Sequence, residues 1–229
     1  MIALNVTLNF SKKDFKAIKK ALEVYPTTLI GTDFEEMRWK ISSNVVILFK
    51  SGKMLIQGPS ARNVSQTILE KVKIKDELIL GIDETGRGEN FGVFVVAGVL
   101  AYRNSMRELR DSKKTTKIEQ KFEIVKQKAL QFEKIVVSPI EIDSLREQGI
   151  NLNQIQANMV NSLIDLFKDL KNARIIVDGG LIKGIYSKAE FLKKGDDLEP
   201  VIGAASIVAK YFRENNPNKN KRKTWGKKL

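Results

Sequence analysis

Cysteine and histidine are both absent from the 229 residues. The missing cysteine excludes disulfides, thiolate zinc sites and cysteine nucleophiles. The missing histidine excludes His-based catalytic triads and removes the commonest general base. No apolar run approaches the roughly 18–20 residues of a membrane span, and the alternating start over residues 1–6 does not resemble a signal peptide. We therefore expect a cytoplasmic protein without a membrane anchor.

Negative charge is scarce relative to positive charge. The chain has 40 Lys and Arg against 27 Asp and Glu, which gives a formal charge of +13 and a pI near 9.7. Such a chain favours polyanionic partners, with nucleic acid as the first expectation and acidic membrane surfaces as the second. Hydrophobic residues make up 42% of the sequence, enough for a packed core.

The first 72 residues predict a small β-α-β-β-β-α domain. Residues 2–8 alternate between apolar and polar, as in a half-buried strand, and Ser11 is placed to cap the helix that follows. Three strands are expected over residues 37–42, 45–50 and 54–57, with Ser51-Gly52 as a turn. Gly58-Pro59-Ser60 then ends the last strand and begins a second helix. Residues 73–77 are expected to be a charged linker.

Residues 78–215 alternate strands with long helices, which predicts an α/β domain with a mixed sheet. Strands are expected at 78–83, 92–101, 135–137 and 174–178, and helices around 118–129, 152–170 and 199–211. Residues 216–229 are polar and basic, so we expect a mobile C-terminal tail.

Four acidic residues are the main candidates for chemistry. Asp83 and Glu84 follow one apolar run, Asp178 ends another, and Asp196 precedes a helical pattern. Acids gathered at strand ends repel one another unless a cation lies between them, and a chain without histidine or cysteine suits a hard cation such as Mg²⁺. The alternative for each acid is an exposed turn. Asp197 is the nearest rival of Asp196, and Glu190 is a more distant one.

Two further motifs suit contacts with phosphate. Gly86-Arg87-Gly88 combines glycines that allow close backbone approach with an arginine, and Asp111-Ser112-Lys113-Lys114 combines a helix cap, a hydroxyl and two cations. Each could equally be an ordinary turn or a solvated helix start. A dinucleotide-binding loop does not fit, because the glycine spacing differs and the upstream acids would repel a pyrophosphate.

Taken in order, these segments resemble the type 2 ribonucleases H, the ribonuclease HII/HIII family. The resemblance covers about residues 78–213 and depends on four ordered segments: Gly81-Ile82-Asp83-Glu84-x-Gly86-Arg87-Gly88, the Asp-Ser-Lys-Lys motif, the strand ending in Asp178, and Lys194-Gly195-Asp196 upstream of Ala204-Ala205-Ser206. It implies an RNase H-like α/β fold, a mixed sheet flanked by helices.

Within that family the chain is most similar to ribonuclease HIII. Residues 1–72 resemble the N-terminal TBP-like domain of that group, especially over residues 51–59, and residues 89–92 resemble its version of the loop. The Gly-Arg-Gly sequence and an aspartate as fourth acid are more typical of ribonuclease HII.

The resemblance implies endonucleolytic cleavage of the RNA strand of RNA/DNA hybrids, leaving 5′-phosphate and 3′-hydroxyl ends. Asp83, Glu84, Asp178 and Asp196 would be catalytic and would hold Mg²⁺ or Mn²⁺ in a two-metal-ion mechanism. The implied substrate contacts are made by Gly86, Arg87, Gly88, Ser112, Lys113, Lys114 and Ser206. We expect a monomer without an obligate protein partner.

Three alternatives remain open from the residues alone. One is ribonuclease HII-like activity at single embedded ribonucleotides. The second is a nucleic-acid-binding protein without activity, in which the acids are simply solvated. The third is a metal-dependent nuclease or phosphatase with a different substrate, such as duplex DNA.

Overall fold

The computed structural model describes residues 4–10, 12–72, 76–107, 109, 117–168 and 170–226. Ser11 and the whole Asp111-Ser112-Lys113-Lys114 motif lie outside these residues. The described residues form two sheets, one of four strands and one of five. No helix in the described ranges is long and apolar enough to cross a membrane.

The N-terminal sheet has the strand order β1-β4-β3-β2, with every neighbouring pair antiparallel. The predicted β-α-β-β-β-α order is observed. Its elements are β1 Leu4–Asn9, α1 Phe15–Leu22, β2 Glu35–Ile41, β3 Asn44–Phe49, β4 Lys53–Gly58 and α2 Ala61–Lys71. The predicted Ser51-Gly52 turn needs glycine, because Gly52 has φ +90° and a Cβ there would lie 2.0 Å from the Phe10 carbonyl oxygen.

Apolar side chains of this sheet and its two helices form one core. Leu8, Ile18, Leu22 and Ile68 are all buried there, as the sequence periodicity predicts. Trp39 is only 1% exposed and packs in the same core.

The second sheet has the order β7-β6-β5-β8-β9 and is mixed, as predicted. Strands β5, β8 and β9 are parallel, whereas β5, β6 and β7 are antiparallel. The elements are β5 Leu78–Thr85, β6 Phe94–Tyr102, α3 Ile118–Lys128, β7 Gln131–Val137, α4 Pro139–Glu147, α5 Leu152–Asp165, β8 Arg174–Asp178, β9 Ala189–Leu192, α6 Gly195–Leu198 and α7 Pro200–Glu214. Helices α3 and α7 cover one face, and α4 and α5 cover the other.

The structure differs from the expected elements in a few places. Helix α5 ends at Asp165 rather than near residue 170. Helix α4 and edge strand β9 were not predicted, although α4 has a clear signal: Ser138 and Glu141 form a capping box around Pro139. Helix α1 has Asp14 at its N-cap position, without a side-chain capping bond.

The N-terminal sheet is held against the second domain by a buried arginine. Arg107 is 1% exposed, donates a hydrogen bond to the carbonyl of Asn9, and lies 3.6 Å from the Asp14 carboxylate. Its guanidinium also lies 4.5 Å from the centroid of the Phe10 ring. A buried cation that contacts Asn9, Phe10 and Asp14 of the N-terminal sheet region favours a fixed arrangement of the two sheets.

Gly81 allows α7 to pack directly on β5. A Cβ at Gly81 would lie 2.6–2.7 Å from backbone atoms of Val201 and Ile202, which cannot move aside as a flexible side chain could. We expect Gly81→Ala to destabilise the protein by about 3 kcal/mol, because extra volume in a packed core strains the backbone. Thermal unfolding should show a melting temperature lower by about 5–10 °C.

Gly180→Ala is the matched control for that variant. Its nearest neighbour would be the flexible Lys193 side chain, at 3.9 Å. We expect its melting temperature to stay within about 2 °C of the parent, since surface substitutions rarely exceed roughly 0.5 kcal/mol. Equal melting temperatures for Gly81→Ala and the parent would contradict the packing argument.

The described part of the C-terminal segment is packed against the domain, in contrast to the expected mobile tail. Arg222 is 4% exposed and Thr224 is 2% exposed. Their backbone and side chains bond to the loop after β5 and to α4. Lys219, Lys221 and Lys223 are exposed, so the basic composition is real, but the backbone that carries these three lysines is held in place.

Candidate active site

Asp83 and Asp178 lie side by side on adjacent inner strands of the second sheet, toward the carboxyl ends of those strands. Strands β5 and β8 are parallel neighbours, with Ile82 opposite Val177, so each acid directly follows a paired residue. The carboxyl ends of parallel strands are the usual place for ligands in such sheets. The prediction that these two acids come together from distant parts of the sequence is therefore supported by the strand register.

Glu84 follows Asp83 within β5, which continues to Thr85 rather than ending at the acids. The carboxyl group of Glu84 still interacts with those of Asp83 and Asp178. The amide of Gln156 on α5 donates a hydrogen bond to Glu84. Glu84 is thus held on one side by the sheet and on the other by α5.

Asp196 reaches the same region through α6. The backbone N–H of Gly195 donates to the Asp178 carboxylate over 2.5 Å, which fixes the start of α6 beside the end of β8. The charge of Asp196 acts on Asp83. The rival Glu190 is instead bound to Arg174 through two hydrogen bonds of 2.6 and 3.0 Å, which gives it a separate ion pair.

Asp83 and Glu84 have raised pKa values. Burial raises the pKa of Asp83 to about 6, the charges of Asp178 and Asp196 add to this, and hydrogen bonds from Ser206 and the Glu84 backbone oppose it. Burial also raises the pKa of Glu84 to about 7, with the charges of Asp83 and Asp178 adding and Arg87 and Gln156 opposing. Buried carboxylates that repel one another at a sheet edge are typical of a functional site.

The donor atoms of this cluster suit a hard divalent cation. All four acids offer carboxylate oxygens, the preferred ligands of Mg²⁺ and Mn²⁺, and a cation between them would relieve their repulsion. Within the described ranges no three acidic side chains converge closely enough to coordinate one ion. The cluster therefore fits a metal by its chemistry and charge, without forming a finished coordination shell.

Ser206 lies on α7 directly beside Asp83. It is 6% exposed, and its hydroxyl donates a hydrogen bond to the Asp83 carboxylate. The small residues Ala204 and Ala205 are buried on the same helix, which lets α7 approach the sheet. The observed partner of Ser206 is thus a carboxylate of the cluster, and its contact with substrate stays a prediction.

The Gly86-Arg87-Gly88 sequence forms an open loop directly after β5. Gly86 has φ +83°, and a Cβ there would lie 2.4 Å from the Val93 carbonyl oxygen, so the turn needs glycine. Gly88 is exposed with no atom within 4 Å of its Cβ position. Arg87 donates a hydrogen bond to Asn153 on α5 over 2.5 Å. The loop therefore exposes its backbone at Gly88, four residues after Glu84, whereas Gly86 is buried.

Sequence reasoning missed two residues of α5. Gln156 is 1% exposed and contacts Glu84, while Asn153 contacts Arg87 from the preceding turn of the same helix. The available signal was a glutamine on the buried face of a helix, next to the apolar Ile155 and Val160. A buried amide there needs a polar partner, and Glu84 is that partner.

Residues 80–228 match the sequence model described as Ribonuclease HII. The chain belongs to the ribonuclease HII family. A ribonuclease HII from Hydrogenovibrio crunogenus is 37% identical over 145 residues, which cover 62% of this chain and 66% of that protein. The chain thus spans just under two thirds of that relative.

Two further comparisons with this family concern the N-terminal domain and the fold. A ribonuclease HIII from Phytoplasma mali is 28% identical over 222 residues, which cover 86% of this chain and 77% of that protein. That span is too long for the second domain alone, so it includes part of the N-terminal sheet. The crystal structure of Bst-RNase HIII in complex with Mn²⁺ covers 92% of this chain and 81% of its own at TM-score 0.56 and 18% identity, which shows a shared fold.

The second domain also has a solved relative. The RNase HII in the PCNA:RNase HII complex from Archaeoglobus fulgidus is 30% identical, with TM-score 0.51, and covers 60% of this chain and 73% of that one. The fold class predicted from the sequence, an RNase H-like mixed sheet preceded by a small TBP-like α+β domain, is confirmed by these neighbours.

Proposed function

We propose that this chain is a metal-dependent endoribonuclease that cleaves the RNA strand of RNA/DNA hybrids, leaving 5′-phosphate and 3′-hydroxyl ends. The observation that supports this best is the pairing of Asp83 and Asp178 at the carboxyl edge of parallel strands, in a protein with a charge of +13. Clustered carboxylates in a basic protein combine a cation site with affinity for a polyanion. Membership of the ribonuclease HII family supports the same chemistry.

Asp83, Glu84, Asp178 and Asp196 are the residues that would hold Mg²⁺ or Mn²⁺. Bound divalent cations would supply an activated water near neutral pH and would stabilise the charge that develops on the leaving 3′ oxygen. The chain's own contribution is to orient the carboxylates: Ser206 donates to Asp83, Gln156 to Glu84, and the Gly195 amide to Asp178. These bonds position the acids without requiring a histidine.

Substrate recognition would come from the loop after β5 and from the basic surfaces. Gly86, Arg87 and Gly88 follow the acids in the chain and would contact ribose 2′-hydroxyls, the group that distinguishes RNA from DNA. The exposed backbone at Gly88 supports this assignment. Ser112, Lys113 and Lys114 would bind backbone phosphates. The N-terminal sheet would add affinity for the duplex, so binding should weaken as salt rises.

Ribonuclease HII-like activity at single embedded ribonucleotides is the second candidate. The matching sequence model and the Gly-Arg-Gly loop favour it, whereas the N-terminal sheet and the long match to a ribonuclease HIII favour the first. A non-catalytic binding protein is less consistent with the structure, because that interpretation requires solvated acids. Asp83 is instead buried, and its burial raises its pKa. We also infer a monomer that acts in the cytoplasm, which sedimentation and fractionation would test.

The test is cleavage of three labelled duplexes in Mg²⁺, Mn²⁺ or EDTA: an RNA/DNA hybrid, a DNA duplex with one ribonucleotide, and an all-DNA duplex. We expect metal-dependent cutting within the hybrid, with the other two spared. Cutting at the single ribonucleotide would support the second candidate. Cutting of the all-DNA duplex, or binding without any cutting, would contradict the proposal.

A further inference from the structure

The last described residues form a strap across the loop after β5. We define the C-terminal strap as residues 220–225 and the ribose loop as residues 86–92. Phe91 and Lys221 form an antiparallel bridge. The Gly92 N–H donates to the Asn220 carbonyl over 2.8 Å, and the Arg222 N–H donates to the Asn90 carbonyl over 2.8 Å. The backbone of the strap thus pairs with the backbone of the loop, although about 130 residues of sequence separate them.

Arg222 inserts its side chain beneath the ribose loop. It is 4% exposed, and its Nε and Nη2 donate to the Gly92 carbonyl over 3.1 and 2.9 Å. Its Nη1 donates to the Arg87 carbonyl over 3.4 Å. Burying a guanidinium is costly unless its donors are satisfied, and here both acceptors are backbone carbonyls of the ribose loop.

The strap is anchored on its other side to α4. The Lys223 N–H donates to one oxygen of the Asp143 carboxylate over 2.8 Å, and the N–H and hydroxyl of Thr224 donate to the other over 2.9 and 2.6 Å. Arg146 donates to the Thr224 carbonyl. Three donors on one carboxylate form a strong anchor, so the segment that carries Arg222 is held by α4 as well as by the loop that it supports.

The ribose loop needs outside support because of its own composition. Gly86, Gly88 and Gly92 give it unusual backbone freedom, and Gly88 has no atom within 4 Å of its Cβ position. Arg213 contacts its far half, through Glu89 and the Phe91 carbonyl. Among the described residues, the side chain that bonds to the Arg87 carbonyl is that of Arg222.

We propose that Arg222 is a positioning residue for ribose recognition, which holds the Arg87 carbonyl and so presets the loop that contacts the 2′-hydroxyl. The inference rests on the proposed function of Gly86, Arg87 and Gly88. A preset loop binds its ligand without a further loss of backbone entropy. Losing the support should therefore weaken selection of RNA over DNA more than it slows chemistry.

The test compares Arg222→Ala with Lys221→Ala, which removes the same charge from an exposed neighbour. Steady-state cleavage of an RNA/DNA hybrid gives KM and kcat, and equilibrium binding in EDTA gives the preference for the hybrid over an all-DNA duplex. For Arg222→Ala we expect KM to rise about tenfold and the hybrid preference to fall about tenfold, with kcat within about threefold of the parent. Lys221→Ala should match the parent in preference, and Arg222→Lys should recover part of the loss.

Two variants guard against a simple folding defect. The melting temperature of each variant shows whether it folds. If Arg222→Ala does not fold, the role of Arg222 is tested with Arg222→Lys and with Asp143→Asn, which weakens the anchor of the strap. The inference about Arg222 would be overturned if folded variants kept the parental KM and hybrid preference, or if they lost hybrid and DNA binding equally. Cleavage of the hybrid by the parent would still support the proposed function in that case. A parent that cleaves no hybrid would refute both.

Discussion

Asp83→Asn is expected to reduce cleavage of an RNA/DNA hybrid by at least about a thousandfold, equivalent to about 4 kcal/mol of activation free energy. Asp83 is the most deeply placed acid of the cluster, and it interacts with Asp178, Asp196 and Glu84. Asparagine keeps the shape of the side chain but removes one charged oxygen ligand from the centre. Single-turnover cleavage in Mg²⁺ at pH 8 would measure the loss.

The same substitution should stabilise the folded protein in EDTA at pH 8. The folded pKa of Asp83 is raised to about 6, above the ordinary value of 3.8. A raised carboxyl pKa favours folding while the group is protonated, and this contribution is lost as pH rises through the folded pKa. Asparagine does not ionise, so we expect a gain of up to about 2 kcal/mol at pH 8 that shrinks toward pH 4.

Glu190→Gln is the matched control for Asp83→Asn. Glu190 is an acid of the same sheet, but it lies on β9 opposite Ile176 rather than beside Asp178, is half exposed and is bound to Arg174. Its loss should leave cleavage within about twofold, because surface ion pairs contribute little. If Asp83→Asn cleaves the hybrid at the parental rate, or if Glu190→Gln is the variant that loses activity, the assignment of the acid cluster is wrong.

The parts of the site that were predictable are those carried by local pattern. Apolar runs that end in Asp83 and Asp178 predict two buried strands, and acids at strand ends predict a charged edge. That these strands are parallel neighbours depends on the resemblance to a known family, since periodicity alone does not give strand order. The hydrogen bonds from Ser206 and Gln156 to the acids join helices to a strand more than 70 residues away, beyond any local pattern.

The C-terminal segment shows where composition misleads. Six basic residues within 219–228 predict a solvated tail, yet Arg222 is buried while the neighbouring lysines are exposed. The difference lies in the partners: Arg222 meets carbonyls of Arg87 and Gly92, which a charge count cannot reveal. The burial of Arg222 becomes evident only from the three-dimensional position of the loop carbonyls, which are about 130 residues away in the sequence.

Removal of divalent cations is expected to abolish hybrid cleavage and to lower thermal stability above pH 7. The pKa values of Asp83 and Glu84 are raised to about 6 and about 7, mainly by burial and then by neighbouring acids. Because both folded values exceed the ordinary ones, these groups favour folding at low pH, and the benefit is lost as pH rises through 6 and 7. A cation bound by the carboxylates would restore it.

The expected size follows from binding linkage. At a Mg²⁺ concentration of about 100 times its dissociation constant, binding to the folded state adds about 2.7 kcal/mol, which raises the melting temperature by about 5 °C or more for a chain of this size. The gain should be large at pH 8 and should nearly vanish at pH 5, where protons compete for the same oxygens. Melting curves in Mg²⁺, Mn²⁺ and EDTA across this range would show the dependence.

Two comparisons separate a specific site from a general salt effect. NaCl at matched ionic strength should not reproduce the stabilisation, because screening does not replace coordination. Asp83→Asn should lose most of the Mg²⁺-dependent gain, whereas Glu190→Gln should keep it, since Glu190 is bound to Arg174. A parental melting temperature that is the same in Mg²⁺, Mn²⁺ and EDTA at pH 8 would mean that the four acids do not hold a cation in the free protein. Metal would then bind only together with the phosphates of the hybrid.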